Sequence, residues 1–469
     1  MKPEKPDLNR RYTELETMTK NLDHAYDEYL KTHESEVIEA ISGFTKQLET
    51  THFRYGRFTI PTFYKPYLVT AKQNHLLKRI AGTLTQIINT ATRLYFEEGH
   101  LAYVYHMNSE AAELIKIDPG YSQNVVFSRY DALLEGESLK ILEFNCDSPA
   151  GSVYTDEVES MLLSEGVLQD FVTEYHLTPS VRAQGILSAL LAAYEEFGGY
   201  ETPNIAIVDW RTARTLPELE YLRDFFESKG YKTTIADPRE LKYKGGNLYH
   251  KNTRVRLVLR RLVFDEMLER LDEVEDLIKA YRDKAICLVN PLRSRLASTK
   301  AILSILTNPE YDHFFTDNEN KVKHDFIPWT RRLIDAEDFY GHKKIYLIDF
   351  LKDEKESLVL KPSWGYGGRD VTIGRETPDD KWNAAIDKAL KTDWVVQEYV
   401  NVPILTVPVV VNNKLDFAYK KFNFNVLVFG GKYAGGFTRL SDESVVNVAK
   451  GGGVIPAVMS EQAPEHYSP

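Results

Sequence analysis

The feature that most constrains this chain is the run VVFSRYDALL, then EGES, then LKILEFN. Two apolar segments around a short polar one spell a β-hairpin. Arg129 and Asp131 stand two apart and share a strand face, as do Glu143 and Asn145. A three-residue loop, Gly136-Glu137-Ser138, would pair Glu135 with Leu139. Counting back then sets Asp131 against Glu143 and Arg129 against Asn145. Any odd-length loop keeps that parity, and a bulge beside it would break it. Facing carboxylates repel, so the hairpin needs a compensating cation. A divalent ion held by Asp131, Glu143 and Asn145 would supply one, and oxygen donors without His or Cys favour Mg²⁺ or Mn²⁺. The competing reading is a solvated hairpin edge whose acid is neutralised by Arg129.

The hairpin runs into CDSPAG. Cys146 falls on the opposite strand face, a packing position. Asp147 and Ser148 precede Pro149 and an expected helix. They read as a helix cap, or, through the same amides, as a contact for a substrate carboxylate. The two readings are compatible.

At 469 residues the chain exceeds one ordinary core, so two or three domains are expected. The net charge of −11 argues against nucleic acid or an anionic membrane as principal partner, though local basic clusters can still bind a small anion. Two cysteines exclude a disulfide framework and suit a reducing compartment. The first residues, MKPEKPDLNRRYTELETMTK, lack an apolar core, and no uncharged apolar run reaches the roughly 18 residues of a membrane span. A cytoplasmic location is expected.

Apolar residues spaced at three and four predict helices from about 10 to 100, interrupted by HFRYGRFTIPTFYKPY, which reads as an aromatic-rich surface loop. Helices are also expected through TDEVESMLLSEG and VRAQGILSALLAAYEEFGG. Segment 204–260 changes rhythm: NIAIVDW, LPELEYLRDFFESKG and YKTTIAD form a βαβ pattern, hence a parallel α/β layer. From about 340 the chain is strand-rich, with KIYLIDF, DWVVQEYV, ILTVPVVVN and FNVLVFGGKYAGGFTRL.

In SLVLKPSWGYGGRDVTIG a strand delivers Lys361, a glycine turn follows and a second strand returns. Gly365, Gly367 and Gly368 let backbone amides approach phosphate oxygens, and Lys361 would add a point charge. No GxxxxGK[ST] occurs, which excludes a P-loop NTPase, and no GxGxxG opens a helix after a strand. Gln397 and Glu398 end a hydrophobic strand that could serve adenine and ribose, or be plain core. Lys300 opens a helix-like run after RSRLAST. Arg260 and Arg261, Arg293 and Arg295 read equally as structural or solvated, and Asn447 and Lys450 as part of a flexible glycine-rich loop.

Together these pieces resemble the circularly permuted ATP-grasp family, especially its glutathionylspermidine synthase-like carboxylate–amine ligases. Ordinary ATP-grasp chains place the ATP lysines first and the metal residues last; here RYD…EFN comes first. The resemblance implies a mixed α/β fold in which the early hairpin returns beside the late phosphate cover. It divides the chain into a mainly helical region 1–105, a metal-binding hairpin with helices 106–200, and a pre-ATP-grasp-like α/β layer 201–300. An ATP-binding subdomain, 301–460, and a tail, 461–469, complete it. Residue by residue, it makes Asp131, Glu143 and Asn145 metal ligands and sets Arg129 beside the transferred phosphoryl group. Lys300 and Lys361 match the ATP lysines, and Gln397, Glu398, Tyr399 and Val400 the adenine linker. Arg439 matches an arginine on the phosphate or acyl intermediate, and Ser148 and Asp147 the acid-substrate contact. ATP, Mg²⁺ or Mn²⁺, and small carboxylate and amine substrates are implied. A small-molecule kinase or a nonenzymatic nucleotide-binding protein are the alternatives. The chain reads E-F-N-C-D where the family more often has E-Y-N-A-D, and no amidase domain is expected before the ligase region, so glutathione and spermidine are not assigned.

Overall fold

A computed structural model describes residues 22–461 except 106, 181, 342, 366, 447 and 449–451. Asn447, Lys450 and the tail from 462 therefore lie outside the described residues, as does the segment 1–21.

The main sheet has eight strands and joins early and late segments of the chain. Its order is Tyr67–Val69, Gly453–Ser460, Lys432–Ser441, Lys414–Phe429, Phe127–Glu135, Ser138–Asn145; Ile404–Val411 pairs with Lys414–Phe429, and Leu177–Thr178 with Gly453–Ser460. Strand alternation sorts its side chains. Tyr130, Ala132, Phe424 and Val426 face the long helix Ala71–Glu97, whereas Phe127, Leu427, Phe429 and Phe437 face the helix Arg182–Glu196. The long helix opens on a capping box between Thr70 and Gln73. It buries Leu77, Leu84, Ile87 and Ile88 almost completely, each contributing roughly 1.5–3 kcal/mol. Since Arg129 and Asp131 are offset by one from Tyr130 and Ala132, they project from the sheet face that carries Phe127.

The βαβ segment forms a parallel sheet in the order Cys287–Val289, Leu257–Arg260, Ile205–Val208, Thr233–Ala236. The helix Leu216–Ser228 supplies the crossover, and Gly230 follows it at a φ of +87°. A third sheet orders Thr330–Arg332, Trp394–Glu398, Leu358–Pro362 and Thr372–Ile373. The described helices contain none long and apolar enough to cross a membrane.

Three expectations are corrected. The 52–67 segment is not a surface loop throughout: Phe53, Tyr64, Lys65 and Tyr67 are buried. Lys65 is drawn inward by Asp23 and Asp27, each 2.7 Å from its ammonium. No helix starts at Pro149, because loop amides there are taken by Glu218, and the helix begins at Asp156. KIYLIDF is half strand and half helix: Leu347 and Leu351, one turn apart, are both fully buried.

Candidate active site

The hairpin register places Asp131 opposite Glu143 and Arg129 opposite Asn145, but not by the three-residue loop expected. Glu135 pairs with Ser138, leaving a two-residue turn led by Gly136 at a φ of +59°. That turn alone would shift the parity. A bulge at Leu142, between the pairs Ala132–Ile141 and Asp131–Glu143, restores it.

The oxygen-bearing side chains meet. The Asn145 amide nitrogen donates to Asp131 Oδ1 at 3.1 Å and to Glu143 Oε1 at 3.3 Å. Arg129 Nε donates to Asp131 at 2.9 Å, and Arg439, from Lys432–Ser441, bonds its other oxygen. Burial works to raise the Asp131 pKa, but Arg129 and then Arg439 outweigh it and hold the carboxyl well below the usual range. Glu143 is paired instead with Lys300, at 3.0 Å. The facing acids are thus compensated on both sides by protein cations, with Arg129 in the neutralising role foreseen as the alternative. No group of three or more His, Cys, Asp and Glu side chains forms a metal cluster among the described residues. A cation here would rest on two carboxylates and one amide, a hard oxygen set that fits Mg²⁺ or Mn²⁺.

Lys361 enters the same cleft from the third sheet. Its ammonium is 2.5 Å from Gln397 Oε1, on the neighbouring strand. The Gln397 amide nitrogen reaches Thr330 Oγ1 at 3.0 Å, so this side chain braces the lysine from within the sheet. Burial lowers the Lys361 pKa to about 8, with Lys300 adding to the effect while Glu143 and Asp131 oppose it. Lys300 Nζ also donates to Gly365 O at 2.9 Å, tying the hairpin acid to the glycine-rich loop.

The cleft encloses about 160 Å³ between the main and third sheets. Among the expected residues, Arg129, Asp131, Glu143, Lys300, Lys361, Gly365, Gly367, Gly368, Gln397, Glu398, Tyr399, Val400 and Arg439 line it. Its apolar wall includes Leu142, Val359, Ile373 and Val402. Gly368 has a φ of +68°, and a Cβ there would come 2.5 Å from Val445 Cγ1, so two loops close over the cleft at a point only glycine fits. A larger cavity of about 460 Å³ shares no lining residue with this cleft; it lies at the opposite end of the sheet, by the Phe429–Lys432 turn, and gathers no acids.

Asp147 and Ser148 sit differently. The Asp147 carboxylate accepts from Phe264 N at 2.7 Å and pairs with the fully buried Arg260 at 2.7 Å. It caps the helix Phe264–Glu269 rather than any helix after Pro149. Ser148 Oγ donates to Arg261 O at 2.7 Å, and Arg261 donates to Pro149 O at 2.6 Å. Both residues line a small neighbouring cavity instead of the cleft, and Arg260 and Arg261 serve as braces of the 147–153 loop. Arg129 links that loop to the cleft through Ala150 O at 2.7 Å. Cys146 is buried, and burial pushes its thiol pKa far up, which suits packing.

Sequence reasoning passed over Asn423, Trp364 and Arg369, all cleft residues. Asn423 had a signal: FNFN sets two amides at period two in an apolar strand, and Asn423 pairs with Arg439 while Asn425 pairs with Asp131.

The family model for glutathionylspermidine synthase preATP-grasp matches residues 43–413. Among solved structures, a glutathione synthetase-like effector from Globodera pallida in the apo form aligns at a TM-score of 0.60 and 14% identity, covering 90% of this chain and 96% of that one. A gamma-glutamylcysteine synthetase-like protein from Methylobacillus flagellatus KT aligns at 0.39 and 12% identity, covering 82% and 86%. The ATP-grasp ligase PsnB with its minimal precursor aligns at 0.30 and 12%, covering 56% and 93%. Comparison with curated proteins gave no match.

Proposed function

This chain belongs to the glutathionylspermidine synthase preATP-grasp family, and on that premise we propose that it is an ATP-dependent carboxylate–amine ligase. It activates a small-molecule acid as an acyl phosphate and joins it to an amine, giving an amide, ADP and phosphate. The observation that carries this reading is the meeting of early and late segments in one cleft: Glu143, from the early hairpin, lies 3.0 Å from Lys300, which in turn holds the loop after Lys361. That order of segments also supports a circularly permuted ATP-grasp arrangement.

A carboxylate is a poor electrophile, and phosphoryl transfer gives it a leaving group. Lys300 and Lys361 bind the nucleotide phosphates as point charges, with Gln397 aiming the second. Leu142, Val359, Ile373 and Val402 offer the base an apolar slot beside the linker residues Glu398, Tyr399 and Val400. Asp131, Glu143 and Asn145 would hold Mg²⁺ or Mn²⁺, which supplies neutralisation of phosphate charge when bound. Arg129 and Arg439, which both contact Asp131 beside the cleft, would stabilise the phosphoryl group in flight; losing one such donor costs roughly 3–4 kcal/mol of barrier. The loops meeting at Gly368 and Val445 exclude water and protect the acyl phosphate. Asp147 and Ser148 act through the 147–153 loop, which Arg129 joins to the cleft.

The test is incubation with candidate acids, amines and ATP, following ADP and amide by mass spectrometry. ADP and amide in equal amounts are expected. A stable phosphorylated product without amide would replace this reading with a small-molecule kinase.

A further inference from the structure

The segment Leu292–Ser298 plays no part in the chemistry above, yet it reaches the glycine-rich loop from the α/β layer. The Arg295 guanidinium lies 3.4 Å from the centroid of the Trp364 ring, in face-on contact. Asp265 aims that guanidinium by a two-point contact, 3.1 Å to Nε and 2.8 Å to a terminal nitrogen. Trp364 stands at the root of the loop. Its neighbours are held by the same stretch of chain: Ser363 O accepts from Lys300 N at 2.9 Å and from Thr299 Oγ1 at 3.3 Å, and Gly365 O accepts from Lys300 Nζ. Beyond this root, Gly365, Gly367 and Gly368 all have positive φ, a region that favours glycine.

A glycine loop that must open for nucleotide and close for chemistry needs a fixed base. Arg295 is buried, whereas Trp364 is only half-buried and turns the rest of its surface to the cleft. Stacking and a two-point acid contact both need a planar fork, which lysine lacks.

We propose that Arg295 is a positioning residue for the glycine-rich cover: aimed by Asp265, it clamps Trp364 and so fixes the root from which the cover closes on nucleotide. This rests on the nucleotide reading of the cleft, and it adds a mechanical link from the α/β layer to closure.

The experiment compares hydrogen exchange of the loop following Ser363 in the full-length wild type and in Arg295→Lys, Trp364→Ala and Trp364→Phe, with and without Mg–AMPPNP. Without nucleotide, Arg295→Lys and Trp364→Ala are expected to speed loop exchange about tenfold, while Trp364→Phe, which keeps a ring to stack on, stays near wild type. Arg295→Lys combined with Trp364→Ala should add nothing to either alone. Exchange in Leu257–Arg260 should not change, which separates loss of the clamp from loss of the fold. In turnover the clamp variants should release more ADP per amide, because water reaches the acyl phosphate. Unchanged loop exchange in both clamp variants, or equal effects of Phe and Ala at Trp364, would overturn the proposal. If Arg295→Lys does not fold, the Trp364 pair decides alone. Failure of the wild type to bind nucleotide would refute the ligase reading, and the nucleotide-free exchange would still judge the clamp.

Discussion

Lys361 carries a pH dependence whose size follows from its surroundings. Burial lowers its pKa to about 8, so the free cleft holds a mostly charged ammonium at pH 7 and a mostly neutral amine at pH 9. Nucleotide phosphates bound beside it would favour the charged form and raise the pKa again. Binding therefore takes up a proton above pH 8, and affinity for Mg–ADP should fall about tenfold between pH 7 and pH 9 by linkage. The sign for stability is opposite. Between about 8 and the ordinary 10.5, the unfolded chain holds the proton more tightly than the fold does, so stability gains from this residue as pH rises. Isothermal titration of Mg–ADP at several pH values measures the first effect. Lys361→Met should bind weakly and with a flat profile, removing contributions from the nucleotide itself. A flat wild-type profile, or the same slope in Lys361→Met, would refute the reasoning.

Three further outcomes are expected. Glu143→Gln should lower kcat by about 10³-fold or more, which is about 4 kcal/mol of barrier, and leave the melting temperature close to wild type; unchanged turnover would remove the metal assignment. Asp147→Ala should destabilise the fold by about 3–5 kcal/mol in urea unfolding, because Arg260 and Phe264 N lose their buried partner; a change confined to KM for the acid would instead make Asp147 a substrate contact. Gly368→Ala should weaken nucleotide binding, since a side chain at φ +68° against Val445 opposes loop closure by about 1–3 kcal/mol; calorimetry would detect it.

Much of the cleft was legible in the sequence because it follows from strand parity. Arg129 and Asp131 share a strand face, as do Glu143 and Asn145, whatever the wider fold, and Lys361 and Gln397 each sit in a clean apolar strand. The count within the hairpin was not legible: the turn is one residue shorter than expected and Leu142 bulges, two departures that cancel. Gly136 at the first turn position suits a two-residue turn, but the bulge at Leu142 has no composition signature. The role of Asp147 was hidden for a different reason. Local chemistry suggested a helix cap, which it is, but of a helix more than a hundred residues away. The same holds for Arg295, whose partner Trp364 belongs to another layer. Short-range pattern reveals which faces are polar; it does not reveal which distant polar group meets them.

The central claim is that metal and nucleotide meet between the early hairpin and Lys361. Anomalous diffraction from crystals grown with Mn²⁺ and AMPPNP tests it most directly. A manganese peak is expected beside Asp131, Glu143 and Asn145, next to phosphates held by Lys300 and Lys361. Nucleotide seated in the larger cavity near Lys78 and Lys432, or a cleft nucleotide whose metal ignores the hairpin, would contradict it.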